Sequence, residues 1–170
     1  MANLILYYSR KGENYVNGSL QQLAKGNTER VAEFIQKAVG GDLFEVEPVR
    51  QYSASYMTCI KEAQAEQKAG ELPAVKKLPE SLDGYDTIFL GYPNWWGTMP
   101  MFMFTVLHAF DWTGKKIVPF CTNEGSGLGS SERDIKAACP TAEVKPGLSI
   151  HGGSAASSEK QAAAWAKKNV

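Results

Sequence analysis

Cysteine and histidine are scarce in this chain. Cys59, Cys121 and Cys139 are an odd number with no Cys-x-x-Cys pair, which argues against a disulfide framework and against a zinc site. His108 and His151 are too few for a metal site of ordinary composition. Neither charge is in excess: 18 Lys and Arg balance 18 Asp and Glu. The basic face that a nucleic-acid binder needs is therefore not expected. No run of like charge suggests a membrane-surface or tail function. Apolar runs fall well short of the roughly 20 residues that span a bilayer. The opening stretch MANLILYYS lacks a basic leader region and reads as a strand, so the cytoplasm is the expected compartment. Three familiar motifs are missing as well. There is no Walker G-x-x-x-x-G-K-[ST]; Glu124 spoils a G-x-S-x-G elbow, and Ser130 spoils a G-x-G-x-x-G fingerprint.

What is present is a regular alternation. The 170 residues, 44% of them apolar, suit one domain over 1–170 with a sizeable core. Strands are expected at 3–9, 42–49, 86–93, 114–123 and 142–152. Helices are expected at 27–39, 55–70, 99–110, 130–139 and 156–169, the fourth capped by Ser130 or Ser131. Residues 72–85 read as a Pro-containing connector. Five strands alternating with five helices predict an α/β fold with a mostly parallel sheet. Right-handed crossovers put the ligand crevice of such a sheet at the C-terminal ends of the strands.

Three loops fall at that edge: 9–28, 91–99 and 121–130. The first, SRKGENYVNGSLQQLAKGNT, ends where a helix begins, and a helix N-terminus is a ready anion site. Ser9 and Thr28 offer hydroxyls there and Gly26 a close backbone approach. The plain alternative is an ordinary cap by Asn27 or Thr28. The third loop, CTNEGSGLGSS, offers Thr122, Asn123, Ser126 and glycine amides to a polar ring edge; the alternative is a flexible surface turn. Between them, GYPNWWGTMP carries Trp95 and Trp96, two flat faces suited to stacking, or else two core or interface indoles. An anion site, a flat aromatic and a polar ring edge in sequence describe a flavin mononucleotide, FMN. A serine hydrolase is disfavoured, because neither histidine has an evident nucleophile partner, and His108 reads as a packed residue of an apolar helix.

The segments GYPNWWGTMP (91–100), VPFCTNEGSGLGSS (118–131), LDGYDTIFLGYP and DWTGKKIVPF resemble the flavodoxin-like proteins, of the short-chain type, over nearly the whole chain. That resemblance implies a three-layer doubly wound fold, a five-stranded parallel sheet in the order 2-1-3-4-5, and noncovalent FMN. It assigns Ser9, Asn27 and Thr28 to the phosphate, Pro93, Asn94, Trp95, Trp96 and Gly97 to the isoalloxazine, and Thr122, Asn123, Glu124, Gly125 and Ser126 to its polar edge or the ribityl chain. Lys11 and Asn14 are added as side chains able to reach a phosphate oxygen. The first loop departs from the family pattern by a long insert, residues 10–26. Its apolar content, with Leu20 and Leu23 spaced for a short helical turn, predicts that it covers the phosphate end or contacts a neighbouring chain. The neutral charge is a second departure. Electron transfer through FMN to a redox partner protein or small acceptor is the expected function, of a monomer or homodimer. The alternatives are an NAD(P)H-dependent quinone reductase and a binding module without cofactor.

Overall fold

The computed structural model describes residues 2–170. Its centre is a parallel sheet. β1 (Ala2–Tyr7) pairs with β4 (Asp42–Glu45) on one side and β5 (Tyr85–Pro93) on the other; β5 pairs with β6 (Lys116–Asn123). The far edge is shared by β7 (Glu143–Val144) and β8 (Leu148–His151), which pair with successive lengths of β6. With that broken edge counted as one strand and only the strands of this sheet numbered along the chain, the order is 2-1-3-4-5, as expected. The single strand expected over 142–152 is split because Pro146-Gly147 leaves the ladder; the Gly147 amide instead donates to Glu132 Oε2 at 2.9 Å.

Both faces of the sheet are buried, which is why its central strands read as near-continuous apolar runs. The period-2 alternation of strand side chains then sorts them. Leu4, Leu6, Ile88, Leu90, Tyr92 and Ile117 pack on one face, and Ile5, Tyr7, Phe89, Val118 and Phe120 on the other. α1 (Asn27–Val39) and α5 (Glu159–Lys167) cover the second face, with Val31, Ala32, Ile35, Ala162 and Ala166 fully enclosed. The first face is covered by α3 (Met101–His108) and α4 (Ser131–Ala138), with α2 (Tyr56–Ala69) packed beside α3. A 3-10 turn, Gly152–Ser157, takes the first part of the helix expected from 156.

The insert in the first loop is not the helical turn that Leu20 and Leu23 suggested. It is an antiparallel hairpin, β2 (Gly12–Val16) and β3 (Ser19–Leu23), with Val16 opposite Ser19 across Asn17-Gly18. Asn17 and Gly18 have φ of 51° and 82°, the left-handed pair that a two-residue type I′ turn requires. Asn-Gly is the dipeptide that most readily supplies it, and the strand pairing it directs overrides the helical spacing of the two leucines. No helix among the described residues is long and apolar enough to cross a membrane.

Candidate functional site

The parallel order brings the three loops together at the strand C-termini, around a pocket of about 460 Å³. One end is built by backbone. Gly26, the N-cap of α1, has no side-chain cap. It must be glycine: a Cβ there would lie 2.1 Å from Ser9 Oγ and 2.6 Å from the Arg10 carbonyl oxygen. Ser9 Oγ accepts the Glu29 amide at 3.0 Å, and the Gly26 carbonyl accepts that of Arg30. The amides of Asn27 and Thr28 have no protein acceptor among the described residues. They stand at the positive end of the helix dipole, the feature that holds an anion. The Thr28 hydroxyl is buried and bonds that of Thr122 at 2.8 Å, tying the first loop to the third. Asn27 thus caps nothing with its side chain, and its amide group lines the pocket.

The other end is aromatic. Trp95 is half-buried, in edge contact with Tyr8, Tyr52 and Phe102, at centroid distances of 5.5, 5.2 and 6.0 Å. Trp96 is 46% exposed and has φ of 58°. It and Gly97 form a second two-residue turn, closed by the Trp95 amide donating to the Thr98 carbonyl at 2.8 Å. A bulky residue in the left-handed region is strained. Several bonds hold it there. The indole Nε1 donates to the Ile60 carbonyl at 2.7 Å, Gln67 Nε2 donates to the Trp96 carbonyl at 3.2 Å, and Asn94 Oδ1 accepts the Gly97 amide at 2.9 Å. Tyr52 is itself fixed by the buried carboxylate of Glu66, which accepts its hydroxyl at 2.6 Å and Arg50 Nη1 at 2.7 Å. Burial raises Glu66 above the usual carboxylate range, against the lowering pull of Tyr52 and Arg50.

Between the two ends lies the third loop. Asn123 Oδ1 accepts the amides of Gly125 and Gly127 at 2.9 and 3.0 Å, and Asn94 Nδ2 donates to the Gly127 carbonyl. These bonds make it an ordered turn rather than a flexible one. Ser130 sits at the N-cap of α4, yet its hydroxyl bonds Asp134 Oδ2 and the Gly97 carbonyl, joining this loop to the tryptophan loop instead of capping the helix.

Of the residues singled out in the sequence, Asn14, Asn27, Pro93, Asn94, Trp95, Trp96, Gly97, Thr122, Asn123, Glu124 and Ser126 line this pocket. Ser9 and Thr28 stand behind it, shaping the α1 terminus, and Gly125 is in the loop but not on the wall. Lys11 is elsewhere, exposed and lining a separate groove with Glu45 and Glu47. Asn14 Nδ2 is spent on the carbonyls of Arg10 and Gly12. Arg10 is the basic side chain the strand actually delivers to the pocket, its guanidinium held by the carbonyls of Glu13, Ser53 and Ala54 and by Cys59 Sγ at 3.3 Å. One whole wall went unread in the sequence: Tyr56, Cys59, Ile60 and Ala63 of α2. Their i, i+3, i+4, i+7 spacing is that of any buried helix face, so nothing marked it as part of a site. His108 is exposed at the end of α3, not packed, and His151 accepts the Gly153 amide at 3.2 Å; neither borders the pocket. All three cysteines are free and buried, and burial pushes the Cys121 and Cys139 thiols up to about 12.

Solved structures resemble the chain along its length. A protein of Bacteroides eggerthii provisionally described as a flavoprotein is 29% identical, with a TM-score of 0.78, covering 99% of this chain and 97% of its own. One of Bacteroides uniformis, described in the same way, is 25% identical with a TM-score of 0.77, covering 98% and 97%. A Lactobacillus acidophilus flavoprotein solved with FMN shares the fold at 19% identity and a TM-score of 0.65, covering 94% and 98%. No curated protein matches. The family model for flavodoxin matches residues 21–169, from the second strand of the hairpin almost to the C-terminus; this chain belongs to the flavodoxin family.

Proposed function

We propose that the chain binds FMN in this pocket and transfers electrons through it. The observation that carries the reading is the polarity of the pocket: open helix-end amides at one end and two indoles at the other, in one cavity of about 460 Å³, within the usual range for small-molecule sites. Bound FMN supplies the redox chemistry, and the protein supplies position and electrostatics. The amides of Asn27 and Thr28 hold the phosphate. Trp95 and Trp96 flank the ring, and the third loop meets its polar edge. Cys59, Ile60 and Ala63 keep water from the α2 side of the pocket. Trp96, half-exposed at the rim, leaves the ring end open to an electron donor or acceptor. The neutral surface gives no strongly acidic field to steer a basic partner protein, so recognition rests on local shape at that rim. A cytoplasmic setting belongs to the same reading.

The purified protein is expected to be yellow, and to release FMN, not FAD, on denaturation. Anaerobic addition of NADH or NADPH, followed by a quinone, tells a reductase from a carrier. Bleaching of the flavin by either nucleotide, with turnover of order 1 s⁻¹ or more, makes it a reductase. No bleaching by nucleotide, with rapid reduction by a separate reductase protein, makes it a carrier. A protein that takes up no flavin overturns the proposal.

A further inference from the structure

The hairpin β2–β3 is a surface addition that the sheet does not need, yet both of its ends are fastened. Its base is tied to the start of α2. Arg10 Nη2 donates to the Ser53 carbonyl at 3.0 Å and Glu13 Oε1 accepts the Tyr56 amide at 2.8 Å; nearer the turn, the Tyr15 and Tyr56 rings stack at 6.1 Å with 20° between planes. Its tip crosses to the opposite side of the pocket. There the Asn17 amide donates to Glu124 Oε1 at 2.7 Å. The Asn17 side chain lies so close to Gly153 that a Cβ on that glycine would stand 2.0 Å from Asn17 Oδ1. Next to it, a Cβ on Gly152 would stand 2.5 Å from Glu124 Oε2 and 2.8 Å from Asn27 Nδ2. So the tip of the arm, the third loop, the turn after β8 and the first residue of α1 meet at one corner. That corner is the end of the pocket at which the α1 amides sit.

We propose that the arm is a specificity gate: the Asn17–Glu124 latch closes the phosphate end, so that the pocket admits a flavin mononucleotide and rejects the dinucleotide. This rests on the FMN reading above. FAD is FMN extended from its phosphate by a second phosphate, a ribose and an adenine. With the first phosphate on Asn27 and Thr28, that extension must leave through the corner where Asn17, Glu124 and Gly153 meet. The arm opens at its turn, because beyond the buried Val16 one hydrogen bond and one packing contact hold Asn17, whereas charged and aromatic contacts hold the strand before it. The same latch therefore governs release of FMN, which leaves when the tip lifts.

The test measures affinity for FMN and FAD and the rate of FMN release in the full chain. In one variant residues 15–20 are replaced by Asn-Gly, which keeps the turn type and the Asn14–Gln21 pairing while drawing the tip back by about 7 Å, two residues of strand; because this also removes the Tyr15–Tyr56 stack, Tyr15→Ala is measured beside it and is expected to leave preference and release unchanged. A second, Gly153→Ala, displaces the Asn17 side chain from its seat without altering a residue that lines the pocket. Leu20→Ser, at an exposed position on the arm, is the control. The wild type and the control are expected to prefer FMN to FAD at least a hundredfold. In both tip variants that preference falls at least tenfold and FMN leaves at least fivefold faster. Equal affinity of the wild type for the two flavins, or unchanged preference and release in both tip variants, overturns the gate while leaving FMN binding intact. A wild type that binds neither flavin overturns the functional reading and the gate with it.

Discussion

Two tight turns of one type stand at opposite ends of the pocket, and their residues differ in a telling way. Asn17-Gly18 closes the hairpin and Trp96-Gly97 closes the second loop; each first residue has positive φ, 51° and 58°. Asparagine adopts that conformation readily, because its short side chain bonds to local backbone. Tryptophan does not, and the strain at such a position is of order 1–3 kcal/mol. A turn that needed only to turn would carry asparagine or glycine at 96, as it does at 17. On the proposed reading the indole serves as a ring at the pocket rim, and bonds to Ile60, Gln67 and Asn94 hold it against its preference. The two adjacent tryptophans differ in turn: the Trp95 ring is packed in an aromatic cluster, whereas the Trp96 ring is exposed and tied down by its indole nitrogen.

The sharpest break of this contrast is Trp95→Ala. It empties a space among Tyr8, Tyr52 and Phe102, and is expected to cost about 3 kcal/mol in denaturant unfolding. A loss under 1 kcal/mol would place Trp95 outside the core. Gly26→Ala attacks the backbone-built end. The added methyl meets Ser9 and the Arg10 carbonyl, so stability should fall by about 1–3 kcal/mol, and FMN affinity should drop with it. A variant with wild-type affinity would detach the phosphate from this helix end.

Glu66→Gln probes the support behind Trp95. Because burial raises the folded-state pKa of Glu66, the folded protein keeps its proton to higher pH than the unfolded chain does. The stability this contributes is full below the unfolded value and is lost as pH rises through the folded one. The wild type should therefore lose stability as pH rises through and above the ordinary glutamate range, and the difference in slope between wild type and variant isolates Glu66. Identical slopes would show that Glu66 titrates normally. Trp96→Asn gives the smallest effect on the fold. Relief of strain offsets the lost indole bond, so stability should stay within about 1 kcal/mol, while FMN affinity falls several-fold for want of a stacking ring. Tight FMN binding with a clear loss of stability would reverse the roles given to the two tryptophans.

The difference between the turns also shows how far the sequence was legible. α1 runs over Asn27–Val39, the residues its apolar spacing and the following Gly40-Gly41 predicted, and the buried strands read correctly from their apolar runs. The hairpin was missed although Val-Asn-Gly-Ser states it. Glu13, Asn14, Gln21 and Gln22 give its strands no apolar alternation, so the turn was its only signal, and Leu20 with Leu23 suggested a helix instead. Loop residues of the pocket were readable because a parallel sheet gathers its strand-end loops at one edge and a pair of adjacent tryptophans in such a loop is conspicuous. The α2 wall was not, since Cys59, Ile60 and Ala63 look like core from either side. Lys11 and Arg10 could not be told apart by charge. Only the strand's direction at Tyr8 and the carbonyls of Ser53 and Ala54 decide that Arg10 turns inward.

The central claim is that a phosphate docks on the open amides of Asn27 and Thr28 while a flavin ring meets the tryptophans. Calorimetric titration of the flavin-free protein with FMN and with riboflavin, which lacks the phosphate, tests it most directly. Two charge-assisted hydrogen bonds at about 1.5 kcal/mol each predict that FMN binds roughly a hundredfold tighter than riboflavin. Equal affinities for the two would contradict the account.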